Sequence, residues 1–273
     1  MSAGKRLRES MSHGTVVAPL VVDGIEAEMA KALKFEAVYM QATAVASALG
    51  LRSAGLITFT EMADELRILT SASDIPVVAD AQTGYGNYVN VFQTVRLFER
   101  MGVAALHLSD NVWPQFHGAG SKERILDRAE AVTKIKSAAD ARTDPDFVII
   151  ARTDSLATGG WNEIEDRVRA YIEAGADMGF VEGLEDMDGV QACAQRLAGI
   201  PLVFDNARLL STRRLQGASH DLRLILHPFA AAMSRKAFES SLQKIASDDV
   251  PEAPATDPRP SESTRFYLSG GNE

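Results

Sequence analysis

Eight short apolar runs, each followed by a segment with helical spacing, divide this chain. The runs occupy 15–22, 37–42, 76–81, 103–108, 147–151, 178–181, 201–204 and 222–226, the length of buried strands. Helical patterns fill 24–33, 43–49, a stretch from about residue 60, and 89–101, 122–141, 161–174, 188–197, 209–215 and 229–246. Eight consecutive strand-helix units predict a closed (β/α)8 TIM-type barrel, an α/β fold, rather than an open doubly wound sheet. One barrel domain is expected over 1–246. After it the composition turns to proline and acid, so 247–273 reads as an extended arm, with Phe266, Tyr267 and Leu268 near its end.

Right-handed crossovers put the C-terminal ends of all the strands on one rim, where ligands bind in parallel barrels. Two strands are the most informative. The segments V-V-A-D-A-Q-T-G-Y-G-N and L-H-L-S-D-N-V-W-P end apolar runs abruptly and deliver Asp80, Gln82, His107, Ser109 and Asp110. Tyr39, Gln41, Arg152, Asp154, Glu182, Asp205, Asn206 and His227 complete the collection. Glycine-bearing stretches at 50–55 and 114–121 suit loops that close over that rim.

Charge narrows the partners. With a net charge of -9 and a pI near 5.2, the chain has no electrostatic footprint for nucleic acid. Its apolar runs are too short for a membrane span, and the basic N-terminal residues lack an apolar stretch behind them, so a cytoplasmic protein is expected. The single cysteine, Cys193, lies in a helical pattern and reads as a buried structural thiol. Nucleotide-loop, serine-hydrolase and zinc-protease motifs do not occur.

The segments A-D-A-Q-T-G-Y-G-N, L-H-L-S-D-N-V-W-P, D-A-R-T-D-P-D-F-V-I-I-A-R-T-D-S and A-Y-I-E-A-G-A-D-M-G-F-V-E together resemble the isocitrate lyase and phosphoenolpyruvate mutase superfamily. The likeness runs over 14–238. It implies an α/β barrel, an enolate-type intermediate, a divalent metal, and a homodimer or homotetramer whose subunits exchange the last helix. It also implies that Arg152 clasps a substrate carboxylate and that Glu182 and Asn206 hold substrate carboxyl and hydroxyl groups.

The chain departs from that pattern where the family's carbon-carbon lyases carry acidic residues. Gln82, Ser109 and Ser53 stand at three carboxylate positions, and Q-F-H-G-A replaces the loop motif that carries a catalytic cysteine. Asp80 is the metal carboxylate that remains, so either no cofactor or weakly bound Mg2+ is expected. Asp80, His107 and His117 are the catalytic candidates; His117 falls at the cysteine's place and titrates near neutrality. Tyr39, Gln41, Gln82, Ser109, Trp113, Arg152, Glu182 and Asn206 are the candidate substrate contacts. Five of these have a plainer alternative: an internal salt bridge from Arg152 to Asp80 or Glu182, a polar plug of Glu182 and Asn206, a satisfied core His107, a solvated loop His117.

The expected activity is that of a lyase acting beside the carboxylate or carbonyl of a small 2-oxo or 2-hydroxy acid, through an enolate. A non-catalytic descendant of the family and a phosphonate mutase or hydrolase are the alternatives.

Overall fold

Every apolar run named above becomes a strand, and the eight strands form one parallel sheet in the order β1-β8-β7-β6-β5-β4-β3-β2. The computed structural model describes residues 1–114 and 124–247. Its strands are β1 Val16–Pro19, β2 Val38–Met40, β3 Val77–Asp80, β4 Ala105–Ser109, β5 Val148–Thr153, β6 Met178–Val181, β7 Leu202–Asp205 and β8 Leu222–His227. Just beyond β1, Leu20 bridges Tyr39 in parallel, and Val21 N–H donates to the Tyr39 carbonyl at 2.9 Å. These contacts bring β1 against β2 and make the sheet a barrel, as the run of strand-helix units predicts.

The strands' two-residue period sorts their side chains into two cores. Val78, Ala105, Val148, Ile150, Phe180, Val203 and Leu224 pack inside the barrel. Val77, Leu106 and Ile149 face one bank of outer helices, and Val181, Phe204 and Ile225 another. Counting in twos from the interior residues toward the C-terminal rim reaches Asp80, His107, Ser109, Arg152, Asp154, Glu182 and Asp205. The pleat therefore decides which polar groups meet.

The outer helices are α2 Gly24–Ala32, α3 Ala42–Ala48, α4 Phe59–Ala72, α5 Tyr88–Arg100, α6 Arg128–Ala141, α7 Leu156–Glu173, α8 Met187–Arg196, α9 Thr212–Gln216 and α10 Phe229–Ala246. Capping sets their starts. Thr58 and Glu61 form a reciprocal box at α4, as do Asn87 and Asn90 at α5. The Asp127 side chain accepts from Ala129 N–H, so α6 begins later than its charged sequence pattern suggests. Conversely, α7 begins five residues earlier than expected and bends at Gly160, whose φ is 66°.

A further helix, α1 Ala3–His13, was not legible as such because its charges resemble a solvated N-terminal run. It covers the other end of the barrel, with Leu7 and Met11 in the interior core. Gly4 permits the approach: a Cβ there would lie 2.4 Å from the Asp146 carbonyl oxygen. Arg8 donates to that carbonyl at 2.9 Å and pairs with Asp177 at 2.7 Å. The arm expected over 247–273 lies, from residue 248 on, outside the described residues.

Candidate active site

The site is built around the turn after β3. Gln82 and Tyr85 both adopt left-handed backbone conformations, with φ of 50° and 59°. Such conformations cost about 1–3 kcal/mol each in residues other than glycine and persist only where the surroundings fix them. Here Gln82 N–H donates to Asp80 Oδ1 at 2.8 Å, and the Gln82 carbonyl accepts from Ser109 N–H at 2.7 Å. Gly84, at φ 82°, leaves no room for a side chain, since a Cβ would meet Val91 Cγ2 at 2.4 Å. The Tyr85 ring is edge-on to Phe59 and to Trp113, with centroids 5.5 and 5.6 Å away.

What this turn holds is unspent hydrogen-bonding capacity. Gln82 is buried, yet neither atom of its carboxamide has a partner of ordinary geometry, and the same is true of Thr83 Oγ1 and Tyr85 OH. A buried polar group left so costs about 1–3 kcal/mol. Beside it, Asp80 is anchored: its second carboxylate oxygen accepts from Ala42 N–H, at the start of α3, at 3.1 Å.

His107 lies inside the rim with no exposure. Its Nε2 is 2.9 Å from the Tyr39 hydroxyl and 3.6 Å from Asp80 Oδ1, and Nδ1 has no partner. Burial pushes its pKa down to about 4 in spite of Asp80, so the ring is neutral. Burial likewise holds the Tyr39 phenol well above its usual value.

Arg152 is the cation of the rim among the described residues. Its Nε and Nη2 bond Asp154 at 3.0 and 2.6 Å, Nη2 lies 3.4 Å from Glu182, and the guanidinium sits over Phe180 at 5.2 Å. Burial works against its charge, but Asp154 and Glu182 outweigh it and raise the pKa further. These contacts use Nε and Nη2. Ser109 also donates to Asp154, at 2.8 Å. The internal ion pair therefore exists, with Asp154 as chief partner rather than Asp80.

Behind β4 and β5, buried Asp110 steadies this pair. It accepts from Asp154 N–H at 3.0 Å, Thr153 Oγ1 at 2.6 Å, Tyr171 OH at 2.9 Å and Arg167 at 3.3 Å.

The other candidates divide. Glu182 and Asp205 line a cavity of about 190 Å3 opening at the rim. Asn206 turns instead to its own loop, bonding the N–H and carbonyl of Leu210 at 2.7 and 3.0 Å. Gln41 is the N-cap residue of α3 without a capping side-chain bond. His117 lies outside the described residues. Asp154 and Asp205 were not singled out as site residues, although each stands two residues from an interior-facing neighbour.

A family profile described as phosphoenolpyruvate phosphomutase matches residues 6–246. A 2,3-dimethylmalate lyase of Eubacterium barkeri is 37% identical over 92% of this chain and 88% of its own. A crystal structure of 2,3-dimethylmalate lyase, described as a PEP mutase/isocitrate lyase superfamily member, superposes with a TM-score of 0.87 at 33% identity, covering 99% of this chain and 92% of that one. The chain belongs to the PEP mutase/isocitrate lyase superfamily. It is thus an enzyme of this superfamily, whose members here include lyases and hydrolases of small acids.

Another superfamily structure, phosphonopyruvate hydrolase in complex with oxalate and Mg++, has a TM-score of 0.87 at 25% identity, with 99% of this chain and 95% of that one covered. Magnesium takes an octahedral shell of hard oxygens. Among the described residues, no three carboxylate, imidazole or thiolate groups converge as a cation site. Both oxygens of Asp80 already face backbone N–H groups, and the neighbouring positions present a carboxamide and a hydroxyl. This donor set does not fit magnesium.

Proposed function

We propose that the protein cleaves a carbon-carbon bond in a small 2-hydroxy dicarboxylic acid of the substituted-malate kind, releasing a 2-oxo acid and a shorter carboxylic acid. The observation that carries this reading is the buried Gln82 carboxamide, which makes no hydrogen bond of ordinary geometry, on the same rim as a guanidinium whose contacts to described carboxylates use Nε and Nη2. Such a pair suits a carboxylate next to a carbon that turns anionic. The similarity to a 2,3-dimethylmalate lyase supports the substrate class.

In the proposed reaction a base takes the C2 hydroxyl proton and the C2–C3 bond breaks. Its electron pair passes to C3 and spreads into the adjoining carboxylate as an enolate, and a donor then protonates C3. Arg152 Nη1 binds carboxylate, a charge-assisted contact. Gln82 and His107 Nδ1 face the developing charge as preorganised neutral groups, which a dry site makes effective. Tyr39, Ser109 and Glu182 hold these groups in place, and Asp80 orients the reacting oxygen. His117 is proposed as the base. His117→Ala should then lower turnover by roughly two to four orders of magnitude with little change in affinity, measured by steady-state kinetics.

The test is release of 2-oxo acid from 2,3-dimethylmalate and a panel of related 2-hydroxy and 2-oxo acids. Release from at least one supports the reading. No release, and no heat of binding from any of them, would overturn it. Turnover should persist in excess chelator, because the donor set does not fit a dication; loss on chelation with recovery on added magnesium would contradict that. We infer in addition that the subunits assemble as a homodimer or homotetramer through α10, which has no buried residue and exposes Phe238, Leu242 and Ile245.

A further inference from the structure

Among the described residues, Asp80, Asp154, Glu182 and Asp205 all lie near enough to Arg152 for their charges to be felt there. Asp154 takes Arg152 in a two-point bond, Glu182 shares Nη2, and Asp80 is held by two backbone N–H groups. Asp205 has less support. Its strand parity turns it inward with Val203, while Phe204 faces the outer core. It takes the backbone N–H of Ala207 and has no cation of its own among the described residues. It lines the rim cavity together with Glu182, and the one arginine of that cavity, Arg208, is already paired with Glu185. Among the described residues these carboxyl groups outnumber the guanidinium, and in a half-buried setting that excess is relieved if one carboxyl keeps its proton.

We propose that Asp205 is that carboxyl, and that it is the acid of the reaction, giving its proton to C3 of the enolate as the carbon-carbon bond breaks. The proton leaves the Asp205 hydroxyl, the enolate electron pair takes it to form the C3–H bond, and the resulting carboxylate regains a proton from water before the next turnover. No other reactant is needed. This step rests on the proposed carbon-carbon cleavage and names the donor it requires.

The neighbouring groups agree with the assignment. Burial and then Glu182 raise the Asp205 pKa, against Arg152, to about 7. Asp80 adds to the rise from β3. His107 has already lost its proton at neutral pH, and Tyr39 on β2 holds its proton too tightly to give it. On β8, His227 is edge-on to Phe229 and its pKa is lowered by burial. Among the described rim groups, Asp205 is the acid matched to neutral pH.

The test pairs an infrared titration with kinetics on wild type and Asp205→Asn. In wild type a carboxylic-acid C=O band should persist to neutral pH and disappear as pH rises through about 7; Asp205→Asn should lack it. With a substituted malate that the wild type cleaves, Asp205→Asn should lose roughly a hundredfold or more in kcat with KM little changed, and the fall in rate on the alkaline side should vanish. Asp205→Glu should recover part of the rate. A wild-type spectrum with no such band overturns the proposal even if the cleavage reading stands. So does an Asp205→Asn enzyme with wild-type kcat and pH profile. If no acid in the panel is cleaved, the cleavage reading and the donor role fall together, while the infrared result still reports whether the carboxyl carries a proton. Should Asp205→Asn not fold, Asp205→Ser takes its place.

Discussion

Gln82 concentrates the chemistry of this protein in one residue: a strained backbone and a buried amide that makes no hydrogen bond of ordinary geometry, with the Tyr85 hydroxyl as its near neighbour. A group kept for folding would be satisfied, so removing this one should separate stability from activity. Gln82→Met, an apolar replacement of similar length, should leave stability unchanged or raise it by about 1 kcal/mol in urea titration, because an unpaired carboxamide is removed. The same change should lower kcat/KM at least tenfold. A large loss of stability would instead mean that the carboxamide is structural. His107 gives the opposite kind of prediction. Its folded pKa of about 4 lies below the ordinary 6.5, so its contribution to stability is present above pH 6.5 and is lost as pH falls toward 4. His107→Gln should remove that part of the acid sensitivity, on the order of 3 kcal/mol, seen as a flatter stability curve between those pH values.

At the scale of elements, strands carry the site and their pleat selects its members. The eight runs and the (β/α)8 order were legible because buried strands read as short apolar segments. The rim residues were legible because each run ends in polar side chains. Side-chain direction was less so. Asn206 was preferred over Asp205 on resemblance, whereas counting in twos from Val203 turns Asp205 inward and leaves Asn206 to tie its own loop to Leu210. Asp154 stands in the sequence among the rim residues but not among the candidate contacts, although it shares the parity of Arg152. The Gln82 strain had no sequence signal beyond the glycines around it. Helix α1 was missed because four charged residues outweigh Leu7 and Met11 as a local pattern. The loop containing Gly84 makes a further prediction. Gly84→Ala should destabilise the protein by about 1–3 kcal/mol in thermal unfolding, since it adds a side chain at a left-handed φ with Val91 in the way. A neutral effect would mean that the turn is looser than described.

For the whole molecule, α1 covers one end of the barrel, the reactive groups gather at the other, and α10 stands outside with its apolar residues uncovered. Burying Phe238, Leu242 and Ile245 against another subunit would stabilise the assembly by about 25 cal/mol for each Å2 of apolar surface removed from water. Light scattering is therefore expected to give a dimer or tetramer, and Phe238→Glu with Leu242→Glu to shift it toward monomer. A wild-type monomer at micromolar concentration would contradict that assembly. The central claim, that Arg152 and neutral neighbours hold an enolate at the rim, has a more direct readout in the fate of the proton at C3. Cleavage of 2,3-dimethylmalate carried out in D2O and followed by NMR should place one deuterium on the carbon next to the carboxylate of the propanoate product, the former C3. In Arg152→Ala that product should fall by roughly a hundredfold or more. A folded wild-type enzyme that cleaves the acid without deuterium at that carbon, or an Arg152→Ala enzyme that cleaves it as fast as wild type, would contradict the account.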